Sequence, residues 1–266
     1  MRMASKPWTK GVLITTVFLI LLPVSLLAIW TFTGRWPWPG LLPKTYTLRT
    51  WQELLFGTAS LGKLLQSSIL LALVTAGVST VVALMTARAC VVYLGAAGRW
   101  IQWMGMLPLI IPGTVLTIGC HLVLLQLRLS DTWLGVLLVH VLTALPYSMA
   151  ILTDLTARVG TKLEEQAQLL GASGFTAFYH GSLPGLMPGI FASMSMAFIL
   201  SYSQYFSTLI VGGGRVQTLA LVMVPYIQSG DRPLASVYAV AFTGSALLVF
   251  AILEGAAGLF RPKGGR

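Results

Sequence analysis

Long apolar runs separated by short polar islands set the pattern of this chain. Six such runs cover residues 11–33, 64–87, 101–125, 134–155, 186–210 and 234–259. Each reaches the roughly 20 residues that a helix needs to cross the hydrocarbon core of a bilayer. Backbone polar groups in lipid must be satisfied within their own segment, so the runs predict helices. The chain reads as an all-α polytopic membrane bundle of six spans, one domain over residues 1–266. The first run follows Arg2, Lys6 and Lys10; it is too long for a signal peptide, and no small-residue cleavage site ends it. An uncleaved span starting in the cytoplasm is expected, with Pro23 as a kink point. Residues 35–63, with Trp36-Pro37-Trp38-Pro39, Pro43 and Trp51, read as an interfacial segment outside the membrane.

The later runs carry their own punctuation. Ser67, Ser68, Ala72, Ala76, Gly77 and Ser79 give the second span small residues for close helix approach. Arg88 and Arg99 bracket a short loop. Pro108 and Pro112 remove backbone donors from the third span, so it must bend or break, and Pro146 interrupts the fourth. The fifth holds Ser193, Ser195, Ser201, Ser203 and Gln204, which lipid would penalise, so their side is expected to face protein or water. Residues 211–233, with Gly212-Gly213-Gly214, Arg215 and Arg232, read as a connection. Six spans put both termini and the loop 156–185 on one face, which carries ten Lys and Arg against seven on the other. That modest excess and the basic N-terminus assign this face to the cytoplasm.

Composition settles the class: 56% hydrophobic and 9% charged residues, with a mean hydropathy of +0.83, describe an integral membrane protein. A net charge of +10 would suggest nucleic acid in a soluble chain. Here the basic residues flank apolar runs, so the expected partner is membrane lipid and no nucleic acid is implied. Cys90 and Cys120 lie in separate segments and read as packing residues rather than a disulfide or part of a metal quartet.

The longest polar interruption late in the chain holds Lys162, Glu164, Glu165, Gln166 and Gln168 ahead of Gly171, which predicts a short helix ended by a flexible glycine. Glu165, Ala167, Gly171, Leu183 and Pro184 match the spacing E-A-A, three residues, G, nine residues, I-x-L-P; Gln166 replaces an Ala and Gly181 the Ile. On these residues the chain resembles the permease subunits of ATP-driven, binding-protein-dependent ABC importers with the type I fold. Pro188-Gly189-Ile190 and residues 191–206 continue the likeness. Residues 201–214 with Thr218-Leu219 look most like the polyamine, ferric iron, thiamine and sulfate group.

The resemblance implies that Glu165, Gln166, Ala167, Gly171, Leu183 and Pro184 form a coupling element that docks in a cleft of a separate ATPase. It also implies a second permease subunit, identical or homologous, two ATPase subunits that bind ATP and Mg, an extracytoplasmic solute-binding protein and a bacterial inner-membrane location, with no cofactor in this chain. Ser201-Tyr202-Ser203-Gln204-Tyr205 is similar to a segment that relatives write S-F-D-E-F, which places Ser201, Ser203, Gln204 and Tyr205 on the translocation path. Hydroxyl, amide and phenol groups there favour a neutral or anionic solute. Tyr202 and Tyr205 read equally well as packing aromatics.

Other chemistry finds little support. No G-x-x-x-x-G-K-[ST] loop occurs, and His121, His140, Asp131, Asp154 and Glu254 are scattered without a catalytic spacing, so the chain is expected to be non-catalytic. Asp154 and Glu254 sit near predicted cytoplasmic ends, which disfavours a proton-coupled carrier. His121 is open to a core or a proton-relay reading. A membrane scaffold and an ATP-independent carrier are the alternative functions.

Overall fold

The computed structural model describes residues 7–36, 43–56 and 60–259. Arg2, Lys6, Pro37-Trp38-Pro39 and the basic tail Arg261 to Arg266 lie outside them. The chain divides into two units, residues 1–63 with 222–244 and residues 64–221 with 245–266.

In the first unit, α1 (Pro7–Trp30) runs through Pro23. Its candidate span, Lys10–Trp30, is apolar on every side and none of it is buried within the chain, as expected of a helix whose whole circumference suits lipid. After α1 come β1 (Thr33–Arg35) and β2 (Thr45–Tyr46), an antiparallel pair with Thr33 opposite Tyr46 and Arg35 opposite Thr45. This short hairpin sits in an otherwise helical chain, as the all-α reading expects, and its Thr-bearing strands hold residue types that favour extended backbone. The short helix α2 (Arg49–Phe56) is tied back by Thr50, whose buried hydroxyl donates to the Thr31 carbonyl at 2.6 Å. Trp30 and Trp36 stack with centroids 4.6 Å apart, so part of the Trp-rich segment folds as a cap on the helix end.

The second unit holds most of the bundle. The helix α3 (Leu61–Arg88) continues into a π-helical turn, Ala89–Tyr93. Then α4 (Gly95–Ile110) begins, so Arg99 lies inside a helix rather than closing a loop. The third apolar run is two helices, α4 and α5 (Gly113–Gln126), bent by 103°. The break falls at Pro112, and Ile111 before it is extended (φ −83°, ψ 130°), the conformation that a following proline enforces. Pro108 stays inside α4.

In contrast, α6 (Trp133–Val159) is not interrupted by Pro146. Pro146 is buried, and α6 packs along α9 (Leu183–Tyr202) in the most extensive helix pairing among the described residues, which supports the helix through the missing hydrogen bond. Thr132 starts α6 by accepting from the Gly135 amide at 3.0 Å.

Between α6 and α9 lie α7 (Lys162–Leu169), the one-turn helix α8 (Gly174–Ala177) and a second π-helical turn, Phe178–Ser182. The fifth helix ends at Tyr202, short of the expected residue 210; Ser203 to Tyr205 break it, and α10 (Phe206–Gly212) resumes beyond. The expected connection contains another helix, α11 (Leu219–Ser229), too short to span, before α12 (Arg232–Leu259). Among the described residues five helices are long and apolar enough to cross a membrane, or six if α4 and α5 count as one span. Leu71, Leu124, Val136, Val139 and Val211 form one core cluster of the second unit, and Ala83, Ala87, Met149 and Leu152 form another.

Candidate functional site

The polar loop is built as an exposed knuckle on a buried root. Gly160 (φ 65°) ends α6. Glu164 and Glu165 open α7, where carboxylates complement the helix dipole. Successive residues on a helix point about 100° apart, so the two carboxylates part ways. Glu164 turns inward and forms a two-pronged ion pair with Arg88 at the end of α3, at 2.7 and 2.8 Å, with side-chain exposures of 7% and 15%. The Arg88 guanidinium also lies over the Phe178 ring at 4.2 Å. This hydrogen bonding holds the Glu164 carboxyl below the usual carboxylate range, against the opposing push of burial.

Glu165 turns outward, accepting from the Thr161 hydroxyl at 2.6 Å while remaining exposed. It borders a groove of about 330 Å³ with Val92, Tyr93, Thr161, Glu164 and Gln168. Gln166 is exposed and Ala167 half-buried. Gly171 follows α7 with φ 90°, and a Cβ there would meet open space, so backbone conformation alone calls for glycine. Leu169 and Leu170 are each 88% exposed and Phe175 78%, a greasy tip on a polar loop. Gly181, the departure from the family spacing, sits against the backbone of Leu163 and Glu164, where a built Cβ would lie 3.4 Å from both, in van der Waals contact with α7. Leu183 is half-buried and Pro184 occupies the first turn of α9, where its missing N–H is harmless.

The sequence reading missed Arg88 and Glu164. The signal available was two adjacent carboxylates on one short helix, which cannot both face the same way.

A second constellation lies where the two broken spans meet. Pro108, Thr117, Thr143, Tyr147, Gln204 and Ser207 contribute to a cavity of about 480 Å³ with no charged side chain in its lining. Gln204 is clamped, donating to Thr143 Oγ1 at 2.8 Å and accepting from Ser207 Oγ at 2.6 Å. Of the four residues expected on the path, only Gln204 lines this cavity. Ser203 is exposed, Tyr205 half-buried and Ser201 buried.

Ser201 instead joins a polar cluster around His140, which has no exposed surface. Thr208 donates to the Gln204 carbonyl at 2.7 Å, and His140 bridges the two hydroxyls, with Nε2 3.1 Å from Thr208 Oγ1 and Nδ1 2.8 Å from Ser201 Oγ. Ser201 also reaches Thr75 of α3 at 3.2 Å. Tyr202 packs on Phe198 and bonds to Ser245 at 2.6 Å, the role of a packing aromatic. His121 is half-buried with Nδ1 3.3 Å from Ser130 Oγ. Cys90 is buried and Cys120 half-buried, both free thiols.

The family model for the binding-protein-dependent transport system inner membrane component matches residues 79–264. An ORF1 product of Streptomyces antibioticus, described as an ABC transporter permease protein, is 30% identical over 191 residues, 71% of this chain and 83% of its own length. The sulfate transport system permease protein CysT of Salmonella typhimurium is 28% identical over 138 residues, half of each chain. The putrescine transport system permease protein PotI of Escherichia coli is 23% identical over 257 residues, 91% of this chain and 88% of its own.

Proposed function

Since this chain belongs to the binding-protein-dependent transport system inner membrane component family, and so is a multi-pass permease subunit of an ABC importer in the inner membrane, we propose that it receives the work of a separate ATPase through the α7–α8 loop. The observation that carries this is the division of labour between neighbouring carboxylates: Glu164 is locked to Arg88 at the end of a span, while Glu165, bonded to the Thr161 hydroxyl one turn back, and the apolar tip are exposed. A lever needs both features, an anchored root and an exposed head. In this reading Leu169, Leu170 and Phe175 enter a cleft of the ATPase, Glu165 pairs with a basic group there, and Gly171 sets the angle of the tip. Closure of two ATPase subunits on ATP and Mg then pulls on this loop and its counterpart in a second permease subunit. The force reaches α3 through Arg88 and α9 through Pro184. An extracytoplasmic binding protein delivers the solute, and the loop and both termini face the cytoplasm.

The test is crosslinking from Leu169→Cys and Leu170→Cys in the assembled importer. Both are expected to join the ATPase subunit, while Leu122→Cys, an exposed position on α5, does not. An outward-facing loop, or a loop that never joins the ATPase, overturns the reading. Turnover that ignores the binding protein, or uptake on an ion gradient without ATP, would instead identify the scaffold or the carrier.

The cavity around Gln204 supports a path for a solute without positive charge, because its lining offers hydroxyl, phenol and amide groups and no carboxylate. That separates this chain from what a polyamine path would need and is compatible with a neutral or oxyanionic solute. With Cys90 and Cys120 replaced, Thr143→Cys is expected to react more slowly with a cationic than with an anionic thiosulfonate, relative to an exposed control. The opposite order refutes the assignment.

A further inference from the structure

In the first unit the ends of two candidate spans meet around an open cleft of about 740 Å³. Trp30 closes α1 and Arg232 opens α12, so the cleft mouth lies at the end of both apolar stretches, the depth at which lipid headgroups begin. The Arg232 guanidinium sits 5.3 Å from the centre of the Trp30 ring and is exposed. Below it the wall is apolar, made by Leu27, Met223, Ile227 and Ala239. Tyr226 completes the rim, stacked on Tyr238 at 5.3 Å.

Among the described residues no carboxylate pairs with Arg232. The neighbouring Asp231 caps α12 by accepting from the Leu234 amide at 3.3 Å, and Glu53 faces Arg49 at 4.0 Å. The segment after Trp30 adds Arg35, Lys44, Arg49 and Lys63 against Glu53 alone. A cation with no protein counter-charge at the mouth of a greasy cleft matches a phosphate headgroup above an acyl chain. The surplus of positive charge selects a lipid with net negative charge over a zwitterionic one.

We propose that this cleft is a binding site for one anionic phospholipid of the surrounding bilayer. Its phosphate rests on Arg232 beside Trp30, and an acyl chain lies along Leu27, Met223 and Ile227.

To test this, the full-length protein is reconstituted in vesicles of equal parts phosphatidylglycerol and phosphatidylcholine, extracted in mild detergent and weighed intact by native mass spectrometry. The wild type is expected to retain one phosphatidylglycerol in preference to phosphatidylcholine. Arg232→Gln should lower that retention about tenfold, as expected for one lost hydrogen bond to a charged group, whereas Arg215→Gln, which removes an exposed cation elsewhere, should not. Trp30→Leu keeps the charge and removes the ring platform; its smaller loss keeps the test decisive if Arg232→Gln fails to insert. Absence of retained lipid, equal retention of both lipids, or retention insensitive to Arg232 overturns the site. So does release of the lipid on assembly with partner subunits, which would make the cleft a protein interface.

Discussion

Two of the polar contacts that tie the helices of this bundle use different chemistry. At the root of the loop, Arg88 and Glu164 join α3 to α7 as a nearly buried ion pair. Within the spans, His140, Ser201, Thr208 and Thr75 join α6, the α9–α10 break and α3 through neutral groups alone. The difference follows from surroundings. Ion pairs withdrawn from water gain enough only with good geometry and some residual solvation, which the partly exposed Arg88 retains. A fully enclosed site surrounded by apolar helices is held at lower cost by hydroxyls and a neutral imidazole. The ionic contact is therefore a strong, directional anchor for a moving part, and the neutral cluster a static tie.

Breaking the anchor is expected to have the largest effect. Arg88→Ala or Glu164→Ala leaves one charge buried without its partner and should destabilise by about 3 kcal/mol, the lower end for a buried pair because Arg88 keeps some exposure. Thermal melting in detergent measures this, and the double replacement Arg88→Met with Glu164→Leu should recover most of the stability while uncoupling transport. The same pair predicts a pH signature. Glu164 is held below its ordinary range, so its stabilisation is fully present above the ordinary glutamate value of about 4.3. It fades as pH falls below that value, through the depressed folded one. Melting should thus show no contribution from this pair to any change between pH 8 and 6, and Glu164→Gln should flatten the acid limb.

Disrupting the static tie comes next. His140→Leu removes one partner each from Ser201 and Thr208, which keep Thr75 and the Gln204 carbonyl, and should destabilise by about 1–2 kcal/mol, with uptake falling only in proportion to folded protein. A loss of uptake beyond that would show that the two contacts are not so different after all.

Gly171→Val should be smaller in stability, about 1–2 kcal/mol from a β-branched residue at positive φ. Gly171→Asn should be tolerated, since asparagine enters the left-handed region more readily. Crosslinking of the tip to the ATPase should be lost in the first and kept in the second. The smallest stability effect, within about 0.5 kcal/mol, belongs to the exposed Glu165→Gln. If Glu165 meets the ATPase, this variant nevertheless loses most of its docking, measured by co-purification. Unchanged docking would reduce Glu165 to a solvated surface residue.

The loop was legible in the sequence to the extent that its features are local. A helix ended by Gly171, and Pro184 at the first turn of the next, follow from propensity and from the backbone that glycine and proline permit. The hydrophobic runs fall on helices, but the helix of the third begins at Gly95 and that of the fifth ends at Tyr202, where serines and Gln204 hid a break inside what composition reads as continuous. The cavity was harder to see because its lining comes from α4, α5, α6 and the α9–α10 break, and no single stretch announces a meeting of four. The hairpin and α11 were missed for a simpler cause: short elements between long apolar runs leave little periodicity to count.

The sequence by itself determined where the chain is apolar enough to leave water and where a polar helix must interrupt it, because both depend on the transfer energies and backbone freedom of consecutive residues. Only the tertiary structure decided which of two adjacent glutamates is the anchor and which the exposed head. It also decided that Pro112 breaks a helix while Pro146 does not. In each case the local chemistry is the same on both sides of the choice. Arg88 meets one carboxylate and not the other, and α9 supports one proline-containing helix along its length, so neighbours distant in the chain make the decision.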